Sequence, residues 1–544
     1  MHLRCPSASE LAATIRVMRY IGWFFVCLWG CGSYPPVERE SWTESASILL
    51  RASLDFSQEV LPVDERMLSQ FYAQRKYRPA WCGPTGPRSQ ADALLWKLRQ
   101  SAGEGLRPEY YAFEEIEVEL AKWRRRGTKP GLASLMRLDV LLTRAFFAYG
   151  GHLQRGRVDP RAIHSEWKAP VQVVDLVGLL QTALDLQQIE SALDRLRPPQ
   201  RVYLQMRKAL RDYRAIEHAG GWPAVRAEGG GALIRRLAMV GDLPEGLDVY
   251  SSGQIAEGIT GFQGRHGLLP SGRLDSTTLA ALNVPVEDRV ASIELNMERW
   301  RWLPYALGTS YILVRIADFE LDVVEAGESV LNMRVIVGKP YWRTPIFSTE
   351  LTHIVLNPYW YIPQSIAVEE ILPKLKQDPD YLVQRSILVR KKRDLASMEI
   401  DSQNIDWNTL SSETFAYTFT QSPGPANPLG AIKFMLPNPY NVYLHDTPNR
   451  ELFAARVRTF SHGCIRLEKS AELAAHVLGD DGQWTLDQIR MEIDSGINRE
   501  ITLENPMPIY IIYWTTWVDE AGLVQFRRDE YDADERLRRA LIRQ

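Results

Sequence analysis

The residue whose type and setting most suggest covalent chemistry is Cys464, in Phe460-Ser-His-Gly-Cys-Ile-Arg-Leu467. A thiol of ordinary pKa, about 8.5, is only a few per cent thiolate at neutral pH, so a nucleophilic cysteine needs a base or a cation beside it. The text offers both. His445 lies 19 residues upstream (464 − 445), His462 two residues before and Arg466 two residues after. Gly463 removes a side chain next to the sulfur, which lets backbone or substrate come close. The structural alternatives are a small buried thiol and structural histidines. Zinc would use the same residue types, but no fourth ligand at a familiar spacing accompanies them and His-Glu-x-x-His is absent. No metal or cofactor is therefore expected.

His445-Asp-Thr-Pro448 followed by Ser461-His-Gly-Cys-Ile-Arg466 resembles the signature of L,D-transpeptidases with the YkuD-type catalytic domain. A long helical region, a small helical module and an insertion after Asn357-Pro-Tyr-Trp-Tyr-Ile-Pro-Gln-Ser365 resemble the YcbB-like branch, from about residue 60 to the C-terminus. Tyr513-Trp-Thr-Thr-Trp517 and Arg528-Asp-Glu-Tyr531 fit it too. The resemblance implies that Cys464 is the nucleophile and His445 the general base and acid. It places the orienting backbone carbonyl on Asp446, and assigns His462, Gly463 and Cys464 to the oxyanion region through their N–H groups. Arg466 then supports the loop or contacts a stem carboxylate. The implied reaction is attack on the third residue of a peptidoglycan tetrapeptide stem, release of D-Ala, and capture of the thioester by an amine of a second stem, a 3→3 cross-link. Donor and acceptor stem peptides are the implied partners. A cysteine L,D-carboxypeptidase or hydrolase acting on stems or wall-linked protein would use the same residues. A non-catalytic wall-binding protein would be expected to lose Cys464 or His445, and both are present.

The elements that must position these residues follow from the hydrophobic period. Leu331, Met333, Val335 and Val337 alternate with Asn332, Arg334 and Ile336, and strand-like text recurs through Tyr513. Residues 305–544 therefore read as a mainly β catalytic domain, with a helical, charged lid insertion at about 366–420. His353 falls in a strand pattern and reads as structural. Residues 45–220 read as a helical scaffold, with Leu94, Leu95 and Leu98 on one side of a segment that stops at Gly103 and Gly105. Between 225 and 300 a small bundle is predicted, from Ile255, Ile259 and Phe262 and from the stripe Val286, Val290, Ile293, Met297 and Trp300. Its text from Phe262-Gln263 to Ala281-Leu282-Asn283 resembles a peptidoglycan-binding module. The expected class is multidomain α+β.

With 64 Lys+Arg against 67 Asp+Glu in 544 residues, the net charge of −3 gives no case for a nucleic-acid partner. The run from Ile21 to Trp29, after Arg16 and Arg19, is too short to span a bilayer and reads as a signal-peptide core. Leu28-Trp-Gly-Cys31 resembles a lipobox, so residues 1–31 are expected to direct export to the periplasm, with Cys31 as a lipid anchor and the membrane reached only through it. Five cysteines are too few for a disulfide scaffold, which leaves Cys82 as a buried thiol and Cys464 as the working one.

Overall fold

The computed structural model describes residues 36–56, 64–125, 129–164, 167, 174–244, 249–392, 399–479 and 483–543. The expected signal peptide and Cys31 lie outside them.

Among the described residues seven α-helices build the N-terminal region: α1 (Pro36–Phe56), α2 (Glu65–Gln74), α3 (Ser89–Arg99), α4 (Phe113–Arg124), α5 (Leu132–Arg155), α6 (Leu176–Asp185) and α7 (Ile189–Asp194). A two-strand hairpin, β1 (Cys82–Gly83) and β2 (Gly86–Pro87), sits among them. Helix α5 is apolar on nearly every side and runs through the centre, burying Leu135, Met136, Leu138, Leu142, Phe146 and Phe147. Each such side chain contributes about 1.5–3 kcal/mol when fully buried. Among its buried polar residues, Asp139 accepts N–H bonds from Ala80 (3.0 Å), Trp81 (2.8 Å) and Cys82 (3.0 Å) and the Tyr72 hydroxyl (2.9 Å). These donors replace the water that a buried carboxylate loses, and they tie the hairpin to the bundle.

The expected domain limits differ from the observed cores. Helix α8 (Arg201–His218), which falls inside the expected scaffold limits of 45–220, packs Tyr203, Met206, Leu210 and Tyr213 into the main C-terminal core. Helices α9 (Gly230–Ala238), α10 (Ser252–Arg265) and α11 (Ser276–Leu282) surround a small core of Leu233, Leu237, Phe262 and Leu282. The next helix, α12 (Val286–Trp300), leaves that bundle: its apolar stripe joins the main C-terminal core against α8, and Trp300 stacks on Trp514 with centroids 4.1 Å apart.

The C-terminal region is a sheet of nine strands: β3 (Ser310–Arg315), β4 (Glu320–Glu325), β5 (Glu328–Gly338), β6 (Phe347–Leu356), β10 (Ile432–Met435), β11 (Leu444–His445), β12 (Thr459–Ser461), β13 (Ile465–Leu467) and β14 (Arg499–Ile512). Their order is β12-β5-β13-β11-β10-β6-β14-β3-β4, and β4 also pairs with β5, so the sheet closes on itself. Strand β5 makes this possible by meeting β4 along its first half and β13 and β12 along its last residues. Closure removes the free edges that a strand of this length would otherwise expose.

Between β6 and β10 the chain leaves the sheet to build the insertion. It carries the expected short helical turns and adds a three-stranded sheet, in which β9 (Tyr417–Gln421) lies between β7 (Trp360–Ile362) and β8 (Ile387–Lys391). The insertion thus opens at Trp360 rather than near residue 366. Its own core of Ile371, Leu375, Leu382, Trp407, Phe415 and Phe419 is separate from the main one.

Candidate active site

Strand β11 is two residues long and pairs in parallel with β13, Leu444 opposite Ile465 and His445 opposite Arg466. Successive side chains point to opposite faces. Leu444, Ile465 and Leu467 therefore go to the core, each 0% exposed, while Tyr443, His445, Cys464 and Arg466 share the other face. Cys464 immediately precedes β13 and is held beside Tyr443 by the Ile465 N–H, which donates to the Tyr443 carbonyl at 3.1 Å. On the other side of β11, Lys433 of β10 stands opposite His445. The structure thus brings Cys464, His445 and Arg466 together, and adds Tyr443 and Lys433.

His445 is fixed by its neighbour. Its Nδ1 lies 2.6 Å from the Asp446 carbonyl oxygen. A carbonyl only accepts, so Nδ1 carries the hydrogen and Nε2 keeps the lone pair that a base requires. Asp446 is held in turn: its carboxylate accepts from the Ala431 N–H (2.9 Å) and meets Arg450 at 3.1 Å. Gly430, at φ 62°, passes so close that a Cβ there would collide with that carboxylate.

The nucleophile loop is tied internally. The Gly463 carbonyl accepts from Thr344 Oγ1 (2.8 Å), and its N–H donates to Ser461 Oγ (3.1 Å), whose hydroxyl donates to the Cys464 carbonyl (2.5 Å). This corrects the expected oxyanion assignment. Gly463 shapes the loop through its φ of 113°, but its amide is occupied by Ser461. The Cys464 N–H meets no acceptor among the described residues. The His462 imidazole also turns away, stacking on Trp342 (centroids 4.0 Å) with Nε2 2.6 Å from Glu370 of the insertion. The expected role of Arg466 as loop support finds no hydrogen bond or ion pair among the described residues; its Nε is buried without a partner. His353, on β6, pairs with Glu500 at 3.5 Å.

The electrostatics follow from this array. Burial raises the Cys464 thiol, while the Tyr443 N–H and hydroxyl, Lys433 and Arg466 pull it down. His445 is pushed down to about 3, first by burial and then by the Arg466 guanidinium, with Lys433 adding to it. The resting pair is therefore a neutral thiol beside a neutral imidazole. Tyr443, whose hydroxyl reaches Cys464 and meets Trp360 of the insertion, is raised mainly by burial. Tyr443 was findable from sequence, since it lies two residues from His445 in a strand. Lys433 left only a weak signal, one cation inside Ala431-Ile-Lys-Phe434.

Residues 309–493 match the family model of the L,D-transpeptidase catalytic domain, and residues 66–210 that of a scaffold domain. The chain carries a YkuD L,D-transpeptidase catalytic domain. Over 251 residues it is 33% identical to a Haemophilus influenzae protein provisionally named L,D-transpeptidase, covering 46% of this chain and 49% of that protein. The match thus spans about half the length of that relative. Solved L,D-transpeptidases overlap more loosely. One from Mycobacterium smegmatis is 14% identical, with a TM-score of 0.17 over 38% of this chain and 58% of its own. L,D-transpeptidase 1 from Mycobacterium tuberculosis is 15% identical, with a TM-score of 0.15 over 38% and 61%. Scores this low do not bear on the architecture. The transpeptidase domain matched by the family model includes the whole array from Lys433 to Arg466.

Proposed function

We propose that the protein is an exported peptidoglycan L,D-transpeptidase of the YcbB-like branch that forms 3→3 cross-links through a Cys464 thioester. The observation that carries this reading is the adjacency of Cys464 and His445 on paired strands, with the imidazole held in the tautomer that leaves Nε2 free. As the Cys464 sulfur attacks the carbonyl of the third stem residue, His445 Nε2 takes the thiol proton and the Cys464 N–H faces the oxyanion. The carbon–nitrogen bond to D-Ala breaks, and the proton passes to the leaving amine. An amine of a second stem then attacks the thioester, forms the new amide and restores the thiol. Because imidazole and thiol are both neutral at rest, proton transfer accompanies attack rather than preceding it. The insertion, reaching the site through Glu370 and Trp360, excludes water and orients the acceptor. The α9–α11 bundle would hold the enzyme on the wall.

The test is to incubate the full chain with tetrapeptide muropeptides and weigh the products. Loss of D-Ala with dimer formation is expected. Loss of D-Ala with water addition alone would make the enzyme a carboxypeptidase, and no loss would overturn both readings.

A further inference from the structure

Two cations flank His445 on the face of the sheet that carries the thiol, Arg466 from β13 and Lys433 from β10. Neither makes a hydrogen bond or an ion pair among the described residues. Lys433 is half-buried, and its Nζ lies 4.1 Å from the centroid of the Tyr443 ring, whose hydroxyl reaches the Cys464 thiol. Desolvating an ammonium without a carboxylate partner is costly, and burial here pulls Lys433 down. A cation kept in that state beside a nucleophile is matched to an anion that arrives with the substrate.

Strand order says where that anion would lie. His445 and Lys433 belong to the neighbouring strands β11 and β10, and Cys464 immediately precedes β13 on the other side of β11. In the proposed reaction a donor places its scissile carbonyl at the thiol and its leaving nitrogen at the imidazole. The next group along the donor is the carboxylate of its terminal residue. One residue of extended chain advances about 3.3–3.6 Å, less than the roughly 4.8 Å between strands. The lean of Lys433 back over Tyr443, toward the thiol, shortens the span it has to cover.

We propose that Lys433 is the subsite for the C-terminal carboxylate of the donor stem, so that only a stem ending one residue beyond the scissile bond is accepted. This rests on the transpeptidase reading above and names the group that selects its donor. An ammonium–carboxylate contact in a partly desolvated site accounts for a preference of about 10- to 100-fold.

The test uses the full chain with two tetrapeptide donors, one with a free terminal carboxylate and one with a terminal amide, and reads release of D-Ala or D-Ala amide by mass. Wild type is expected to favour the carboxylate donor about 10- to 100-fold in kcat/KM. Lys433→Met should slow the carboxylate donor about 10- to 100-fold more than the amide donor, over and above any loss common to both through the thiol, and Lys433→Arg should keep most of the preference. Equal treatment of both donors by wild type would overturn the proposal. So would an equal loss on both donors in Lys433→Met, since the ammonium would then act on the thiol or on the fold. Release from neither donor by wild type would instead overturn the transpeptidase reading itself.

Discussion

Cys82 and Cys464 are both free thiols, the first fully buried and the second partly exposed, and loss of water around the sulfur raises both. They differ in the sign of what surrounds them. Cys82, 0% exposed in the helical region, faces the Asp139 carboxylate, which raises it further, and its Sγ lies 3.7 Å from the Leu135 carbonyl oxygen. Cys464 sits at the end of a turn on a sheet face, where the Tyr443 polar groups, Lys433 and Arg466 oppose the effect of burial, and its Sγ lies 3.8 Å from the Asn441 carbonyl oxygen. Burial alone makes a thiol inert; cations and donors make a buried thiol usable. The two regions also use their polar groups differently. Around Asp139 four donors are spent on the carboxylate, whereas among the described residues the active-site face keeps two cations and one amide unspent.

The sharpest way to break this comparison is to remove each sulfur. Cys464→Ala should lower acylation by about 10⁴-fold or more, while Cys82→Ala leaves it unchanged in the folded protein. Comparable losses from the two would mean that the scaffold thiol takes part. Next in size is His445→Ala, expected to cost about 10²–10⁴-fold in kcat/KM, against less than about 10-fold for His462→Ala. The pH profile carries the same argument. With its pKa depressed to about 3, His445 is in its basic form throughout the neutral and mildly acidic range. Activity should therefore not fall as pH drops through 6.5, and an acid limb near 6.5 would contradict the neutral resting pair. Stability behaves differently. Between about 3 and 6.5 the unfolded chain binds a proton on this histidine and the folded one does not, so folding stability declines as pH falls through that window.

Asp139→Asn sharpens the other half of the comparison. Cys82 and Trp81 donate to one carboxylate oxygen, Ala80 and Tyr72 to the other. An amide nitrogen in place of either oxygen would face two donors. The expected cost is about 2–4 kcal/mol, read as a lower melting temperature, with the rate of Cys464 acylation per folded molecule unchanged. A change in that rate would couple the helical region to the site.

What sequence could and could not reveal divides along the same line. Cys464 and His445 were legible because their motifs are contiguous text and because a thiol has a stated chemical need. Lys433 was not, since its place opposite His445 is set by strand register across the turn between β10 and β11. Text alone offered His462 as a second imidazole near the thiol; only the structure shows its ring stacked on Trp342 and turned to Glu370. The apolar stripe of α12 announced an amphipathic helix but not its partner; Trp514, more than two hundred residues later, supplies it. In the insertion, Ile387–Lys391 lies within charged text, so the strand that joins β9 read as part of a helical lid.

The smallest expected effect tests whether the two histidines have been divided correctly. Glu370 belongs to the insertion, and its contact with His462 joins that separately packed unit to the nucleophile loop. Both partners are partly exposed, so the pair is worth no more than about 0.2–1 kcal/mol. Glu370→Gln keeps a hydrogen bond to the imidazole while removing the charge. It should lower acylation by no more than about 5-fold and raise the ratio of hydrolysis to cross-linking as the insertion loosens. If Glu370→Gln instead matches His445→Ala in its effect on acylation, the catalytic imidazole is that of His462, and the contact between insertion and loop belongs to the chemistry rather than to its cover.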